Sequence, residues 1–424
     1  MRKIALSVLN IMNALFFSSA AAMPLQPLSD APTQLKVKGL PGKVYYVPST
    51  VDTILWGYLP NASQPALLTV PSGATVVFDT LSHEGLVEDQ GRDPLKYFTS
   101  KGVPARMVLK DAIAITASPI AHDFIKDGPH IITGPVAVAG AEPGDVLKVE
   151  ILAVTPRVPY GVITNRHGKG ALPGEFPETP AAEADASADQ PEKFHNVSVF
   201  TPIRKNRQGA WEGVMKNSRG EEVRFPTAPF MGVMGVAAAS EAQVHSVPPG
   251  VYGGNLDVKD LVAGTTVYLP VFVKGANFYT GDPHMAQGNG EVALTALEHS
   301  MRASFRLTLL KQGDGRIPSA SGSLTKPFGE TPHYWIAIGL NPDLDEAMKD
   351  AVREGIRFLS EVMGMDRAVA YAYMSAATDF NVSQVVDRTK GIHALIRKSD
   401  FSRVKATTST HKRTRTPASP GRGL

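Results

Sequence analysis

Residues 265–273 read Thr-Thr-Val-Tyr-Leu-Pro-Val-Phe-Val, a nearly continuous apolar run. A run of this length, rich in β-branched and aromatic side chains, predicts a buried strand. Polar, glycine-rich segments lie on both sides of it, at residues 253–257 and 281–291. This strand is therefore predicted to lie in the core, and the polar segments on its two sides contain the candidate functional residues.

Further short strands are predicted upstream, each bounded by turn residues. They cover residues 35–37, 43–47, 66–70, 74–78, 134–141 and 146–154. The last two are joined by Glu142-Pro143-Gly144-Asp145, a typical turn sequence. The chain also contains 38 Gly and 33 Pro, which suits a protein with many turns. We therefore predict a mainly β fold with a sandwich-like or barrel-like body over residues 23–335.

A smaller α+β unit is predicted over residues 336–402. Asn341 can cap a helix whose first turn contains Pro342, and apolar residues recur at helical spacing up to Gly364. A second helix is predicted from Asp366 through Tyr373. Strands are predicted at 382–386 and 392–396. We expect this unit to pack on the β-rich body.

The two ends of the chain differ from the rest. Residues 1–22 have a basic start, an apolar stretch and an Ala-Ala-Ala end, which predicts a cleaved signal peptide and a periplasmic or secreted protein. Residues 403–424 carry six basic side chains and no acid, and predict a disordered tail. Without these ends, 35 basic and 40 acidic side chains remain, which argues against a nucleic-acid-binding core. An exposed insertion loop is predicted near 178–193, and no membrane association is expected for the mature chain.

Several enzyme classes are excluded by what the sequence lacks. The chain has no cysteine, so disulfides, thiolate metal sites and cysteine nucleophiles are ruled out. The motifs G-x-S-x-G, H-E-x-x-H and G-x-x-x-x-G-K-[ST] are also absent, which leaves serine hydrolase, zincin and P-loop readings without support.

The densest group of chemically useful side chains follows the apolar strand. Asp282, His284 and Glu291 fall within ten residues of glycine-rich sequence. In extended chain Asp282 and His284 point to one face, and the glycines allow a loop that folds back toward them. Carboxylates with an imidazole can bind Zn²⁺ or Mn²⁺, and Ca²⁺ if carbonyl oxygens contribute. Taken alone, the segment also fits an ordinary polar turn with an acid at a helix N-cap.

A second group precedes the apolar strand. Asn255 and Asp257 also lie two residues apart, and a hairpin-like return of the chain would bring them to the first group. Singly, the histidines His83, His122 and His167 are interpreted as exposed or as satisfied within the core. Taken singly, His130, which precedes an apolar Ile-Ile pair, is interpreted in the same way.

These motifs resemble those of the acetamidase/formamidase family. The matching segments run in the family's order: 56–58, 130–136, 140–147, 232–236, 253–257, 281–291, 341–347 and 384–386. The most specific are Gly-Gly-Asn-x-Asp at 253–257 and Gly-Asp-x-His-x-x-Gln-Gly-x-Gly-Glu at 281–291. The resemblance spans roughly residues 34–400.

The resemblance implies a β-rich hydrolase that converts short-chain aliphatic amides, such as formamide or acetamide, to a carboxylate and ammonia. It implies a metal-associated site, with Asp257, Asp282 and His284 assigned as ligands and Glu291 as the catalytic base. Zinc is the expected ion and calcium the alternative, although which acid is base and which are ligands stays open.

Asn255 and His130 are assigned to substrate binding. A small amide is the expected partner of the site, and a homo-oligomer the expected assembly. Two other functions stay open from the sequence: an exported metal-binding β-protein without catalysis, and a hydrolase of another C–N or ester bond.

Overall fold

The computed structural model describes residues 23–36 and 43–404. The predicted signal peptide at 1–22, Val37 of the first predicted strand and tail residues 405–424 lie outside the described residues. Within the described ranges the fold is mainly β, as predicted, with four α-helices. No helix of this part of the chain has the length and apolar character needed to cross a membrane.

The strands are numbered β1 to β23 in chain order. The first twelve are β1 Thr33–Leu35, β2 Val44–Val47, β3 Ile54–Trp56, β4 Tyr58–Leu59, β5 Leu68–Val70, β6 Ala74–Asp79, β7 Ile131–Val138, β8 Val146–Pro156, β9 Tyr160–Asn165, β10 Val197–Lys205, β11 Trp211–Lys216 and β12 Glu222–Pro226. The others are β13 Phe230–Val236, β14 Val244–His245, β15 Gly253–Asn255, β16 Thr266–Pro270, β17 Phe278–Ala286, β18 Leu297–Glu298, β19 Met301–Leu310, β20 Phe328–Glu330, β21 Tyr334–Asn341, β22 Asp379–Gln384 and β23 Lys390–Arg397.

The helices are α1 Pro94–Ser100, α2 Lys110–Thr116, α3 Leu344–Glu361 and α4 Arg367–Ala377. The two C-terminal helices were predicted, whereas α1 and α2 were not. The predicted cap of α3 was wrong by two residues: the Asp343 side chain accepts from Glu346 N and caps the helix. Asn341 instead ends β21 and accepts a hydrogen bond from Asp343 N. Asp366 caps α4, as predicted.

Two large sheets form the body. One contains ten strands in the order β1-β2-β6-β19-β8-β16-β20-β21-β23-β22. The other contains eleven, with β12-β11-β10-β9-β18-β17-β13-β15 in line, β7 branching from β17, and β3 and β5 paired with β7. The ring centroids of Phe78 and Phe305, from the first sheet, lie 5.8 Å and 5.2 Å from that of Phe278 in the second. The main core therefore lies between the two sheets.

The C-terminal strands continue the ten-stranded sheet rather than forming a sheet of their own. β20 pairs with both β16 of the body and β21 of the predicted α+β unit. Helices α3 and α4 cover this part of the sheet through a cluster that includes Phe358, Met374 and Ile396. Residue 336, where the predicted α+β unit begins, lies within β21.

The apolar run at residues 265–273 contains a buried strand, β16, as predicted. It belongs to the ten-stranded sheet, where it pairs with β8 and β20. The polar segment that follows it does not form a loop throughout, because residues 281–286 belong to β17 of the other sheet. The two polar groups therefore do not meet through a hairpin built on β16.

Candidate active site

Strand β13 brings the two polar groups together. It lies between β15 and β17, so that Val233 faces Asn255 on one side and Gly281 on the other. Asp257 follows β15 and Asp282 lies within β17, and both side chains reach toward the same point of β13. The meeting predicted from the sequence is thus correct, but it is made by a third strand and not by a hairpin return.

Gly232 is the residue of β13 at this point. A β-carbon added to it would lie 2.7 Å from Oδ2 of Asp282 and still closer to Oδ1 of Asp257. Backbone N–H groups of Leu256 and Asp257 also point at the Gly232 carbonyl oxygen, at 3.0 Å and 3.3 Å. The two carboxylates can therefore converge only because this strand position carries no side chain.

Three site carboxylates occupy an unusual backbone conformation. Asp257, Asp282 and Glu291 have φ values of 48°, 48° and 47°, in the left-handed region that non-glycine residues rarely adopt. Such conformations cost roughly 1–3 kcal/mol each and persist only where the surrounding structure imposes them. Their concentration in one cluster indicates that the chain is shaped here to present carboxylates.

His284 lies at the centre of the cluster. Its Nε2 atom is 2.9 Å from Oδ2 of Asp282 and 3.0 Å from Oε1 of Glu298. Glu298 lies directly opposite His284 in the pairing of β17 with β18. Oδ1 of Asp257 lies 3.8 Å from the other ring nitrogen.

Four overlapping groups of side chains in this cluster have ligand atoms within 4.8 Å of one another. One of them is Asp257, Asp282 and His284, the set assigned as ligands from the sequence. The complete cluster comprises His83, His130, Asp257, Asp282, His284, Glu291, Glu298 and Asp387. All eight are buried.

Three members of the cluster were missed in the sequence. His83, interpreted as exposed or satisfied in the core, lies with Nδ1 3.7 Å from Oδ1 of Asp282. Glu298 and Asp387 were not singled out: Glu298 lies seven residues beyond the 281–291 motif, and Asp387 lies far from it along the chain. Asp387 reaches the cluster because the loop before Glu291 binds β22: Gly290 N donates to Ser383 O, and Val385 N donates to Gly290 O.

Gln287 fixes the orientation of His284. Its Nε2 atom donates to the carbonyl oxygens of Asp257 and Ser383, at 2.9 Å and 3.1 Å. Because carbonyl oxygens only accept, the other amide atom, Oε1, is the one that lies 3.0 Å from Nδ1 of His284 and accepts its N–H. The Nε2 atom of His284 is then the one that faces Asp282 and Glu298.

Burial and the mutual repulsion of neighbouring carboxylates shift the pKa values of the cluster. Burial first, and then the charge of Asp257, raises the pKa of Glu291 and of Asp387 well above the ordinary range. Burial and the charge of Asp282 raise the pKa of Glu298 to about 8. For His284 burial alone would lower the pKa, but the charges of Glu298 and Asp282 outweigh it and raise it well above its usual value.

The donor set fits a divalent cation. Five of the carboxylates each have a buried oxygen that makes no hydrogen bond within the described part of the chain: Oδ1 of Asp257, Oδ1 of Asp282, Oε2 of Glu291, Oε2 of Glu298 and Oδ2 of Asp387. Buried carboxylates without partners are costly, and a bound cation would offset both their desolvation and their mutual repulsion. Mixed imidazole and carboxylate donors suit Zn²⁺ better than Ca²⁺, which prefers oxygen alone.

The cluster lies at one end of a cavity of about 370 Å³. Asn255 and His130, the two residues assigned to substrate binding, both line it, together with Asp257, Asp282 and Glu291. Oδ1 of Asn255 is buried and makes no hydrogen bond in the described residues. Burial lowers the pKa of His130 to about 4, so its ring is neutral, and Nδ1 lies 3.0 Å from Oγ of Ser246.

A buried ion network supports the wall beside His83. Arg166 pairs with Glu84 at 3.0 Å and with Asp89 at 2.7 Å. Glu84 Oε1 in turn lies 3.2 Å from Nε2 of His83. The negative charge of Glu84 is thereby balanced by Arg166, which leaves the His83 ring held beside Asp282.

Comparison with known proteins gives one consistent set of matches. A family model described as the Acetamidase/Formamidase family matches residues 116–246 and 237–396. The chain is 30% identical over 244 residues to the formamidase of Methylophilus methylotrophus, across 48% of this chain and 57% of that protein. It is 28% identical over 254 residues to the acetamidase of Mycolicibacterium smegmatis, across 50% of this chain and 62% of that one. The matches thus span less than two thirds of these relatives.

The fold is similar to that of solved structures over most of the chain. A crystal structure of an acetamidase from Bacillus halodurans superposes with a TM-score of 0.64 at 24% identity, covering 85% of this chain and 99% of that one. An acetamidase from Yersinia enterocolitica gives a TM-score of 0.63 at 22% identity, covering 86% and 94%. At these identities the likeness establishes the fold.

Proposed function

The chain belongs to the acetamidase/formamidase family, and from this premise we propose that it hydrolyses short-chain aliphatic amides to a carboxylate and ammonia. The observation that carries the proposal is the convergence of eight buried histidines and carboxylates at one end of a cavity. The formamidase and acetamidase relatives support the same reaction class.

We propose zinc as the ion of this cluster, held by Asp257, Asp282 and His284. Each of the three residues offers a ligand atom within 4.8 Å of those of the other two, and Oδ1 of Asp257 and Oδ1 of Asp282 make no hydrogen bond within the described residues. When bound, such an ion lowers the pKa of water and polarises a carbonyl group. His83 and His130 also lie within reach of Asp282, so either ring can complete the donor set.

Glu291 is the proposed proton carrier. It lines the cavity, and its unpartnered Oε2 is free to take a proton from the attacking water and return it to the leaving nitrogen. Burial and the charge of Asp257 raise the pKa of this carboxyl, and the positive charge of a bound cation would favour the carboxylate form that takes a proton from water. General acid–base catalysis of this kind typically contributes roughly 10²–10⁴ in rate.

Asn255 and His130 are proposed to orient the amide. The Asn255 amide can donate to the substrate carbonyl oxygen, because the side chain lines the cavity beside Asp257. His130 contributes a neutral ring to the wall, with its orientation held by Ser246. Neither residue needs to carry a charge in the reaction.

The test is ammonia release by the purified full-length chain from formamide, acetamide and propionamide, combined with metal analysis of the same sample. We expect a stoichiometric divalent metal, turnover of at least one amide, and loss of turnover on chelation that zinc restores. A metal-loaded protein that releases no ammonia from any of the three would contradict the proposal.

We also propose export of the protein and a homo-oligomeric assembly, as expected from the sequence.

A further inference from the structure

Two cationic side chains line the cavity away from the carboxylate cluster. Lys169 and Arg388 both contribute to the wall, and both are exposed. Neither forms an ion pair with any carboxylate of the described residues, whereas Arg166 in the same wall is paired with Glu84 and Asp89. The cavity therefore has buried acids at one end and two unpaired cations at its opening.

The turn that carries Lys169 is well anchored. It follows β9, and Lys169 N donates to Arg166 O at 3.1 Å. Immediately beyond it, Ala171 N donates to Val292 O at 2.9 Å, which ties this turn to the segment after Glu291. Lys169 is thus held by the same loop that carries the proposed base.

The turn that carries Arg388 is folded around a buried glutamine. The Gln384 side chain accepts from the N–H groups of Val386 and Asp387 and donates to Thr389 O at 2.7 Å. Arg388 has a φ of 64°, in the left-handed region. One short turn thus presents Asp387 to the carboxylate cluster and Arg388 to the opening of the cavity.

The cations are close enough to disfavour one another. The pKa of Lys169 is lowered, first by desolvation and then by the positive charges of Arg166 and Arg388. Placing two positive charges together without a counter-ion costs free energy, and an anion bound between them would offset that cost. The opening of the cavity is therefore complementary to a negatively charged group.

The size of the cavity also indicates a ligand that is larger than formamide and reaches the two cations. A volume of about 370 Å³ falls in the range of sites that enclose ligands much larger than formamide, which has three non-hydrogen atoms. A formamide bound at the carboxylate cluster would leave the opening and both cations without a contact.

From these observations we propose that the substrate is an acidic amide, with its carboxamide at the Asp257–Asp282–His284 cluster and a carboxylate at Lys169 and Arg388. The chemical class is a monoamide of a short dicarboxylic acid. This inference rests on the proposed amide hydrolysis and specifies its substrate. The reaction balances with water alone: the C–N bond breaks, water supplies the hydroxyl of the new carboxyl group and the proton for nitrogen, and the products are a dicarboxylate and ammonium.

The two cations have an alternative role, which is to balance the acidic cluster at a distance. Such a role would affect neutral and acidic amides alike, since the cluster serves both. Direct contact with the substrate carboxylate affects only the acidic amide. The decisive quantity is therefore the ratio of kcat/KM for an acidic amide to that for a neutral amide of matched length.

The experiment compares succinamate with butyramide on the zinc-loaded full-length enzyme. We expect the wild-type ratio to favour succinamate, and Lys169→Gln and Arg388→Gln each to lower that ratio about tenfold, mainly through KM for succinamate. Lys169→Arg should retain most of the ratio, because it retains the charge. Lys216→Gln, a control on the exposed part of β11 outside the cavity, should leave the ratio as in the wild type.

The outcomes separate the two proposals. If butyramide is hydrolysed and succinamate is not preferred, or if both substrates change equally in the variants, the acidic-amide inference is wrong and the amidase function stands. If the zinc-loaded enzyme hydrolyses neither amide nor formamide, acetamide or propionamide, the proposed function itself is wrong and the inference falls with it. A thermal melt of each variant identifies any that fail to fold.

Discussion

Gly232 lies directly against Asp282, so that a β-carbon on Gly232 would be 2.7 Å from Oδ2 and 2.9 Å from the carbonyl oxygen of that aspartate. Asp257 approaches the same glycine from the other side, also within contact distance. A position in a central strand is thereby part of the site although it contributes no functional group. Its contribution is the space in which the two carboxylates meet.

Gly232→Ala should therefore separate the carboxylates. The added methyl group cannot be accommodated without moving Asp257 or Asp282, and overpacking of this kind costs about 1–3 kcal/mol of folding free energy. We expect zinc affinity to fall by about tenfold or more, as for other changes that displace ligands. Titration with zinc and a denaturant melt measure the two effects. Gly315→Ala is the matched control, because a β-carbon there would meet nothing within 4 Å.

Glu291→Gln should retain metal and fold but lower amide turnover by on the order of 10²-fold, since it removes the base and preserves the shape. Asp282→Ala and His284→Ala should lose metal together with activity, because each removes a ligand atom. Metal content and ammonia release, measured on the same samples, distinguish the two patterns. A Glu291→Gln protein purified without metal would make Glu291 a ligand and require another base.

Gln287→Ala should weaken zinc binding about 10- to 100-fold, the usual effect of removing a partner that orients a ligating histidine. The physical reason is that Oε1 of Gln287 accepts the Nδ1 proton of His284 and so directs Nε2 toward Asp282 and Glu298. Competition with a chromophoric chelator gives the affinity. Asn289→Ala, exposed on the same loop, is the control. Equal affinities in all three proteins would show that Gln287 does not position the histidine.

Removal of residues 23–28 should destabilise the fold even though these residues are far from the site along the chain. Leu25 N donates to Arg157 O, Nε of Arg157 donates to Leu25 O, and Arg302 donates to Gln26 O, each at 2.8 Å. Hydrogen bonds from charged groups contribute roughly 1.5–3 kcal/mol each. We expect a loss of about 3 kcal/mol or more in the free energy of unfolding, measured by urea titration against a chain that begins at Met23.

Export should remove the first 22 residues. The basic start, apolar stretch and Ala-Ala-Ala end predict cleavage after Ala22. N-terminal sequencing of the protein recovered from the periplasm or medium is the direct measurement, and we expect Met23 as the first residue. Recovery of a soluble protein that retains Met1 in the cytoplasm would contradict the prediction.

Much of the fold was predictable because strand and turn signals are local. The run at 265–273 and the turn at 142–145 each predict their own structure from adjacent residues. Helix α1, which was not predicted, also has a local signal, since Asp93 caps it and Pro94 starts it. The sheet to which a strand belongs has no such signal: β16 and β17 are neighbours in sequence and lie in different sheets.

The sequence by itself determined the local chemistry of the site. The i, i+2 spacings of Asn255 with Asp257 and of Asp282 with His284 predicted that each pair would lie on one face of an extended chain, although Asp257 and Asp282 themselves adopt left-handed backbone conformations. Only the tertiary structure decided that β13 lies between the two groups, that Gly232 leaves room for them, and that His83, Glu298 and Asp387 join them. One of those contacts, between His83 and Asp282, connects residues 199 positions apart in the chain. Such contacts follow from strand pairing and sheet packing, which depend on the burial of the whole core and not on the spacing of residues within any one segment.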